Sequence, residues 1–381
     1  MITFFYAKFL YLNPGMPLLY EELERRQADG VRVCNVTAFS IAEIAKLVAS
    51  SQAIVVDTSI QDAATWAVPG KFSIYFIVDQ KPASFYDDVL EHLLNADLPK
   101  LFALYVDLHD AKNDALLKRI HGRVQAISWS FERKPRAVSD VRPEHRDHWL
   151  TDDHDPVRLW QLTRDYFPVR VDLPFSLARH EYYESWPRHL WDACVPGSPY
   201  LTRRVAQRSL RRSGVRVAPF HLPSRVLAAA MRHTLPRVLG ARRASDVAIR
   251  AQQSFQRTLV RSAPISFVCG GPLAFPVRKF FEIPAARVAM IADPCPEMTD
   301  YGFKDGTHFI ATTPEDAGRV AKALLRSRAE ITRLAAAAFD TVRSLHSVER
   351  RADQLIECVR RLMRGSLHSA RFVRGDFVIE S

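Results

Sequence analysis

The sequence predicts an α/β protein with two parallel sheets, each covered by helices on both faces. Short apolar or β-branched runs alternate with amphipathic helical patterns over the first 130 residues, which is typical of parallel sheets with helical crossovers. A polar, proline-containing stretch at 132–160 interrupts the alternation, and a second alternating block begins near residue 189. The chain has 381 residues, enough for two ordinary domains.

The first block begins with a strand candidate in MITFFYAKFLYL. Lys8 interrupts this apolar opening and no small-residue cleavage site follows, so we interpret it as a strand rather than a leader. The later strand candidates are apolar or β-branched runs, at 31–36, 53–59, 72–78, 101–107 and 124–131. Between them, SIAEIAKLVAS and DDVLEHLLNA carry apolar residues three and four positions apart and predict helices.

The second block repeats this order of elements. Its strand candidates are further apolar runs, at 190–195, 215–220, 265–269, 287–293 and 306–312. Helices are predicted after Pro196-Gly197-Ser198 and over about 276–286. Thr313 is the predicted N-cap of a later helix, and two long helices end near Arg364.

These patterns predict two Rossmann-like domains that face each other across a cleft. The predicted division is an N-terminal domain, a connector, a C-terminal domain and a tail, at 1–170, 171–188, 189–364 and 365–381. Ligands of such sheets bind beyond the carboxyl ends of the strands. We therefore expect function in the loops that follow the strand ends, at residues 57, 78, 107, 195, 269 and 292.

The positive charge is concentrated in one segment. The formal net charge is +11, and residues 201–261 contain fourteen arginines, no lysine and one acidic residue, Asp246. Such surfaces bind phosphate esters, nucleic acids or anionic lipids, and a solvated basic face is the alternative. Few aromatic residues are interleaved with these arginines, which disfavours nucleic acid as the partner.

The sequence offers no signal for membrane spans or disulfides. No apolar run reaches the ~18 residues that a spanning helix requires. The five cysteines are widely spaced and include no Cys-x-x-Cys pair. We expect a cytoplasmic protein, and the arginine-rich segment raises peripheral attachment to the inner membrane as a further hypothesis.

The segment CGGPLAFPVRKFFEIPAAR, residues 269–287, places charges at the start of a predicted helix. Arg278 and Lys279 fall within about one turn of its N-terminus, where the helix dipole disfavours cations. A bound diphosphate would explain this placement, and the alternatives are solvent exposure or pairing with Asp293 or Asp305. Glu282 lies on the same helix face. Its carboxylate suits the vicinal hydroxyls of a ribose, or a salt bridge to either cation.

Residues 165–365 resemble the C-terminal half of GT-B glycosyltransferases. The resemblance is carried by PVRKFFEIPAARVAMIADP, by MTDYGFKDGTHFIATTPEDAGRVAKALL and by HSVERR. It is strongest for the group related to the spore-maturation protein CgeB, and WDACVPGSPYLTRR is similar to the segment that opens the donor domain in that group. The N-terminal half matches only in its alternation of strands and helices.

The resemblance implies a GT-B fold and a nucleotide-diphospho-sugar donor as substrate, with no metal or cofactor. The implied donor site consists of glycine loops, two cations and one carboxylate, namely Gly197, Gly270, Gly271, Arg278, Lys279 and Glu282. Glu282 would bind the ribose, Gly197 and the two cations would lie near the diphosphate, and the loop after Gly270 would lie near the sugar.

The family pattern includes one further pair of residues, and this chain departs from the pattern at two positions. His346 and Arg350 would occupy the His-x-x-x-Arg positions of the family. Ala274 stands where many retaining enzymes have a second glutamate, and Arg287 stands where the family usually has glycine. These two departures leave the donor-sugar contacts and the stereochemical course open.

A catalytic base would come from strand-end loops of the N-terminal domain, where Asp57 and Asp79 are candidates. Asp107 and His109 are the preferred candidates, because they alternate along an extended segment and can point to the same side. Capping of their loop is the alternative role. The stretch EHRDHWLTDDHD at 144–155 contains potential metal ligands, but its spacing fits no standard site, so we expect a solvated loop.

We therefore predict a glycosyltransferase that acts on a glycan or lipid-linked acceptor, in the synthesis of bacterial surface polysaccharide or glycoconjugate. One alternative is a nucleotide-sugar epimerase of the same fold, although the sequence displays no clear set of carboxylates around a sugar. The other is a non-catalytic basic scaffold on a degenerate GT-B fold. The sequence has no Gly-x-Ser-x-Gly, P-loop or Gly-x-Gly-x-x-Gly motif to support hydrolase, kinase or oxidoreductase chemistry.

Overall fold

The structure is a computed structural model of the 381-residue chain. The residues that it describes are 1–10, 15–66, 76–77, 81–104, 112–129, 133–146, 156–197, 200–219, 247, 250–251 and 253–381. Two main sheets are present in these ranges, and most of each is built by one half of the chain. This arrangement confirms the predicted α/β class.

The strands form where the sequence has apolar and β-branched runs. Those of the first half are β1 (Ile2–Tyr6), β2 (Phe9–Leu10), β3 (Val31–Asn35), β4 (Ala53–Asp57), β5 (Phe76–Ile77), β6 (Lys100–Ala103), β7 (Ala126–Trp129) and β8 (Val169–Asp172). Those of the second half are β9 (Ala193–Cys194), β10 (Ile265–Cys269), β11 (Ala289–Asp293), β12 (Phe309–Ala311), β13 (Ser369–Val373) and β14 (Asp376–Glu380).

Amphipathic helices lie between most of these strands. They are α1 (Gly15–Glu24), α2 (Ile41–Ala49), α3 (Ser59–Trp66), α4 (Ala83–Asn95), α5 (Lys112–Ile120), α6 (Pro156–Tyr166), α7 (Leu201–Arg212), α8 (Lys279–Ala285), α9 (Ala317–Leu324), α10 (Arg328–Leu345) and α11 (Val348–Met363). Residues 253–260 are also helical. Thr313 was predicted to cap α9, but Asp316 occupies the N-cap position, and Thr313 instead accepts a hydrogen bond from the Asp316 amide at 3.3 Å.

The first sheet has eight strands in the order β14-β13-β8-β7-β6-β4-β1-β3. Its strands from β3 to β8 pair in parallel, and the central strand β4 is buried throughout because helices cover both faces. The described part of the predicted strand 72–78 is only β5. It pairs antiparallel with β2 in a separate two-stranded sheet, so it is not a strand of the main sheet.

The C-terminal segment returns to the first sheet. Residues 365–381 were predicted as a tail, but β13 and β14 form an antiparallel hairpin, and β13 pairs in parallel with β8. Helix α11 also packs on this domain, where Leu355 and Val359 share a core with Leu19 and Leu23 of α1. Burial of the apolar stripe of α11 against α1 explains why the chain crosses back.

The second sheet has four parallel strands in the order β12-β11-β10-β9. Strand β9 is shorter than the predicted run 190–195, and the predicted strand 215–220 contributes a single bridge between Val217 and Ala193. Helix α8 packs beneath the sheet with Phe280 and Phe281 fully buried. This packing fixes the position of α8 between β10 and β11.

The two domains contact each other near the loop that follows β10. Leu273 and Phe275 of this loop pack in the core of the first domain, and the Arg136 amide donates to the Leu273 carbonyl at 3.3 Å. Arg133 forms an ion pair with Asp300 at 2.6 Å. The segment that follows β7 and the loop that follows β10 therefore meet where the two domains contact each other.

In the described part of the chain, no helix combines the length and apolar content needed to cross a bilayer. The five cysteines are free and buried. Burial raises the pKa of Cys34, Cys194 and Cys358 to about 12, so these thiols stay protonated at neutral pH.

Candidate functional site

The predicted motif forms the short helix α8. Arg278 occupies the N-cap position and Glu282 lies in the first turn, where the helix dipole favours a carboxylate. The apolar residues Phe280, Phe281 and Ile283 are buried in the core. They hold the helix so that the side chains of Lys279 and Glu282 are 18% and 24% exposed.

The charged residues of α8 form an ion-pair network with the connector. Arg278 Nη1 donates to one oxygen of Glu282, and Lys279 Nζ donates to the other. Arg278 Nη2 lies 2.7 Å from both carboxylate oxygens of Glu181. The Arg278 side chain is only 4% exposed. The salt-bridge alternative for Glu282 is therefore realised in this structure.

Glu282 and Arg278 of the network stay charged. Burial opposes ionisation of Glu282, but the charges of Lys279 and Arg278 outweigh it and lower the pKa of Glu282 to about 2. Burial likewise lowers the pKa of Arg278, but Glu282 and Glu181 raise it above its ordinary value. Glu282 and Arg278 thus carry full charges at neutral pH.

An open pocket adjoins the network. It spans about 530 Å³ of space between the side chains, part of which is open solvent. Its polar lining includes Glu181, Tyr183, Gln256, Arg257, Lys279 and Glu282. A ligand that carries hydroxyl groups and negative charge would find both kinds of partner on this concave surface.

The predicted glycines lie in two loops, at the carboxyl ends of β9 and β10. Gly197 has φ of 105°, and a Cβ there would lie 2.6 Å from Arg203 Nη1. A Cβ on Gly270 would lie 2.3 Å from the Phe275 carbonyl oxygen, because the loop folds back over Gly270. Gly271 also has a positive φ, of 72°. These glycines shape the loops and do not line the pocket beside Glu282.

Arg203 is a residue of this region that the sequence analysis missed. Its guanidinium is 4% exposed, lies 3.4 Å from the Cys269 carbonyl oxygen and stacks 4.9 Å from the ring centroid of Tyr200. It therefore bridges the glycine loops that follow β9 and β10. Its place in the first turn of a helix after Gly197 was visible in the sequence, but nothing distinguished it from the other arginines of α7.

Glu181 is the second missed residue. It lies in the connector, 97 residues before its partner Arg278, and no local pattern marks it. Only the packing of the connector against α8 brings the two together. A hydrogen bond from the Tyr183 amide to the Ala285 carbonyl, at 3.0 Å, fixes this packing.

The two departures from the family pattern both have left-handed backbones. Ala274 has φ of 57° and Arg287 has φ of 56°, which costs a non-glycine residue roughly 1–2 kcal/mol. Arg287 is held there by a 3.0 Å hydrogen bond from Nε to the Tyr183 carbonyl and by stacking 3.9 Å from the Phe339 ring centroid. Arginine thus adopts the conformation that glycine adopts more easily, and its side chain adds contacts that glycine lacks.

The preferred base candidates Asp107 and His109 lie outside the described residues, as does Asp79. Asp57 is described at the end of β4, where it accepts hydrogen bonds from the Ser59 amide at 2.7 Å and from the Tyr20 hydroxyl. Burial raises its pKa. With 3% exposure, Asp57 has a structural role in its loop.

His145, a described residue of the stretch 144–155, and Arg142, which precedes this stretch, contact Glu315. His145 Nε2 and Arg142 Nη2 lie 2.8 Å and 2.7 Å from the same oxygen of Glu315. Among the residues that the structure describes, no group of three or more histidine, cysteine, aspartate or glutamate side chains could hold a metal ion.

Of the two His-x-x-x-Arg positions, His346 lies in the core and Arg350 lies at the surface. His346 is fully buried, with Nε2 2.8 Å from the Tyr301 carbonyl oxygen and Nδ1 3.1 Å from Arg351 Nη2. Burial lowers the pKa of His346 to about 3, so the ring is neutral. Arg350 is exposed, and the buried partner of His346 is its neighbour Arg351.

Comparison with known proteins identifies the segment that contains α8. Residues 270–357 match a family model described as glycosyl transferase-like. This range begins at the glycine loop after β10 and includes Arg278, Lys279 and Glu282. No match is found among curated proteins.

Solved structures of similar fold cover nearly the whole chain. HepE from Anabaena, in complex with UDP and glucose, has 11% sequence identity and a TM-score of 0.51, and the alignment covers 94% of this chain and 99% of HepE. Sucrose-phosphate synthase from Thermosynechococcus elongatus has 10% identity and a TM-score of 0.54, with 96% and 99% covered. These likenesses establish the fold. The predicted GT-B fold is confirmed, and the C-terminal segment is glycosyltransferase-like.

Proposed function

We propose that this GT-B chain, glycosyltransferase-like over residues 270–357, transfers a sugar from a nucleotide-diphospho-sugar to an acceptor hydroxyl. The observation that carries the proposal is the pocket that Lys279 and Glu282 line together with Arg257. Nucleotide-sugars offer the ribose hydroxyls and the diphosphate charge that such a lining binds.

Glu282 is the proposed ligand of the donor ribose. Its carboxylate lines the pocket and is ionised at neutral pH because its pKa lies at about 2. An ionised carboxylate has two oxygens and accepts strong hydrogen bonds from two vicinal hydroxyls. HepE has been solved with UDP and with UDP-glucose, so uridine nucleotides are the first ligands to test here.

Lys279 and Arg203 are the proposed cations for the diphosphate. Lys279 lines the pocket, and Arg203 lies beside Gly197 at the start of α7, where free amide donors also favour phosphate. Arg278 is enclosed by Glu181 and Glu282. We therefore assign Arg278 to holding Glu282, which changes the phosphate role expected from the sequence.

In the proposed reaction the acceptor oxygen bonds to the anomeric carbon of the sugar while the bond from that carbon to the diphosphate oxygen breaks. The diphosphate leaves as an anion and is stabilised by the cations around it. The acceptor proton passes to a base, for which Asp107 and His109 stay the predicted candidates. The proposal includes no cofactor other than the donor itself, and an acceptor in surface polysaccharide or glycoconjugate synthesis stays a prediction.

A thermal-shift screen tests the donor site. Native protein and Glu282→Gln are melted with UDP, GDP, CMP, dTDP and ADP, and Glu330→Gln serves as a control because Glu330 is a paired glutamate of α10 outside the pocket. Ligand at about 100 times its Kd stabilises the folded state by about 2.7 kcal/mol. We expect one nucleotide to raise the melting temperature of the native protein and the control, but not of Glu282→Gln.

Two results would count against the proposal. If no nucleotide shifts the native protein, the chain has no donor site and a non-catalytic scaffold becomes the better description. If the shift persists in Glu282→Gln, a nucleotide binds without Glu282, and the pocket beside α8 is not the ribose site.

We further propose that the exposed face of α7 binds an anionic membrane surface. Arg204, Arg208 and Arg211 recur at helical spacing and are exposed. Within the described part of the chain, these three side chains make no hydrogen bond or ion pair. Each basic residue near an anionic bilayer contributes about 1 kcal/mol to binding.

Vesicle co-sedimentation tests this surface. We expect binding to vesicles that contain phosphatidylglycerol and not to pure phosphatidylcholine, with loss of binding when Arg204, Arg208 and Arg211 are all changed to glutamine. The control changes three other exposed arginines, Arg343, Arg350 and Arg364, which lie on or beside α10 and α11. Equal loss in both triple variants would show that net charge, and not this face, drives binding.

A further inference from the structure

Glu181 occupies a constrained position in the connector between the domains. Its side chain is 6% exposed, and Oε2 accepts a hydrogen bond from the Ala178 amide at 3.0 Å. The connector is fixed on both sides of it. The Leu177 amide donates to the His346 carbonyl at 2.9 Å, and the Tyr183 amide donates to the Ala285 carbonyl at 3.0 Å. Glu181 is therefore held rigidly against α8.

The carboxylate of Glu181 is directed at the guanidinium that holds Glu282. Arg278 Nη2 lies 2.7 Å from both oxygens of Glu181, while Nη1 donates to Glu282. Arg257 approaches the same carboxylate at 3.7 Å. One planar guanidinium contacts both carboxylates. The position of Glu181 therefore determines how the Arg278 guanidinium is oriented toward Glu282.

We propose that Glu181 is a positioning residue of the donor site, which acts through Arg278 to hold Glu282 for the ligand. The inference rests on the proposed function, since it assigns a role within that same site. Without Glu181, Glu282 is the one carboxylate that remains paired with Arg278 among the residues that the structure describes. The guanidinium would then turn toward Glu282 and compete with ligand hydroxyls for its oxygens.

The direction in which nucleotide affinity changes in a Glu181 variant distinguishes a positioning role from a purely electrostatic one. Glu181→Gln removes one negative charge from the wall of the pocket. If charge alone mattered, an anionic nucleotide would bind more tightly to the variant. If Glu181 positions Glu282, the nucleotide binds more weakly in spite of the more positive pocket.

Calorimetric titration with UDP measures the Kd of native protein and of Glu181→Gln, and the two values are compared. We expect the Kd for UDP to rise about tenfold, which corresponds to about 1.4 kcal/mol. Glu184→Gln is the matched control, because Glu184 lies three residues later in the connector, is 68% exposed and pairs with Arg287 and Arg343 away from Glu282. The Kd of Glu184→Gln for UDP should stay within about twofold of the Kd of native protein.

A double variant tests whether Glu181 acts through Glu282. When Glu282→Gln is already present, we expect Glu181→Gln to cause no further weakening, since the group it positions is gone. Additive losses would indicate general loosening of the fold and would overturn the inference, as would an unchanged or lower Kd in the single variant. Should Glu181→Gln fail to fold, Glu181→Asp keeps the charge, shortens the reach by one methylene and undergoes the same comparison.

The native protein separates this inference from the function on which it rests. If UDP, GDP, CMP, dTDP and ADP all fail to bind native protein, the donor site and the role of Glu181 are both overturned. If a nucleotide binds native protein and is lost in Glu282→Gln but not weakened in Glu181→Gln, only the positioning role is overturned.

Discussion

Glu282→Gln removes a charge from the α8 network with little change in shape, and its effect on stability follows from the structure. Lys279 and Arg278 lower the pKa of Glu282 from 4.5 to about 2. At about 1.36 kcal/mol for each whole number of pKa, the difference between these two values corresponds to roughly 3 kcal/mol in favour of the folded state at neutral pH. Glutamine cannot contribute this energy, so we expect the variant to lose roughly 3 kcal/mol at pH 7.

The loss should depend on pH in one direction. A carboxyl group with a depressed pKa stabilises the fold above its unfolded pKa, near 4.5, and this contribution disappears as the pH falls toward about 2. At pH 3 roughly half of it remains by the same relation. For a domain of this size about 1 kcal/mol corresponds to roughly 2–4 °C. The variant should therefore melt roughly 6–12 °C below native at pH 7 and show about half that difference at pH 3.

Differential scanning calorimetry at pH 7, 5 and 3 provides the measurement. Glu330→Gln is the control, because Glu330 also lies in the first turn of a helix and pairs with an arginine, at 2.6 Å from Arg333, but at the surface. Exposed pairs contribute little, so the control should melt close to native. A difference that is equal at pH 7 and pH 3, or no larger than in the control, would refute the reasoning.

Three further variants test packing, the first two by their melting temperature and the third by limited proteolysis. Phe281→Ala empties a fully buried site beside His346 and should cost about 3–5 kcal/mol; a loss below 1 kcal/mol would contradict this packing. Gly318→Ala places Cβ 2.2 Å from the Ser209 carbonyl oxygen and should lower the free energy of unfolding by about 1–3 kcal/mol. Its control is Ala323→Ser at an exposed position, which should leave the melting temperature unchanged. Gly270→Ala should destabilise the loop that ends at Phe275 and expose it to limited proteolysis; native-like resistance would argue against the close backbone contact.

The parallel strands and most helices could be predicted because their signals are local. The runs at 31–36 and 53–59 became β3 and β4. Strand β4 lies inside the first sheet and is continuously apolar, as buried central strands of parallel sheets are. The hairpin at 369–380 could not be predicted in the same way. Its role depends on pairing with β8, about two hundred residues earlier in the chain, and nothing in its own sequence names that partner.

The residues of the candidate site likewise divide into those that the sequence could predict and those that it could not. Arg278, Lys279 and Glu282 fall within five residues, and helix geometry alone places them on one face. Glu181 and Arg203 belong to other elements, and no local pattern distinguishes them from the remaining glutamates and arginines. The expected phosphate role of Arg278 changed for this reason, because its pairing with Glu181 is a tertiary contact.

By itself, then, the amino-acid sequence determined the α/β class, the two-domain order, the GT-B resemblance and the helix that carries Glu282. These features depend on periodicity and spacing within about twenty residues, where backbone geometry leaves few choices. The tertiary structure decided which charges meet, the return of α11 and the hairpin to the first domain, and the left-handed backbone at Arg287. Those outcomes depend on packing between segments that are distant in the sequence. This packing forms only when the chain folds.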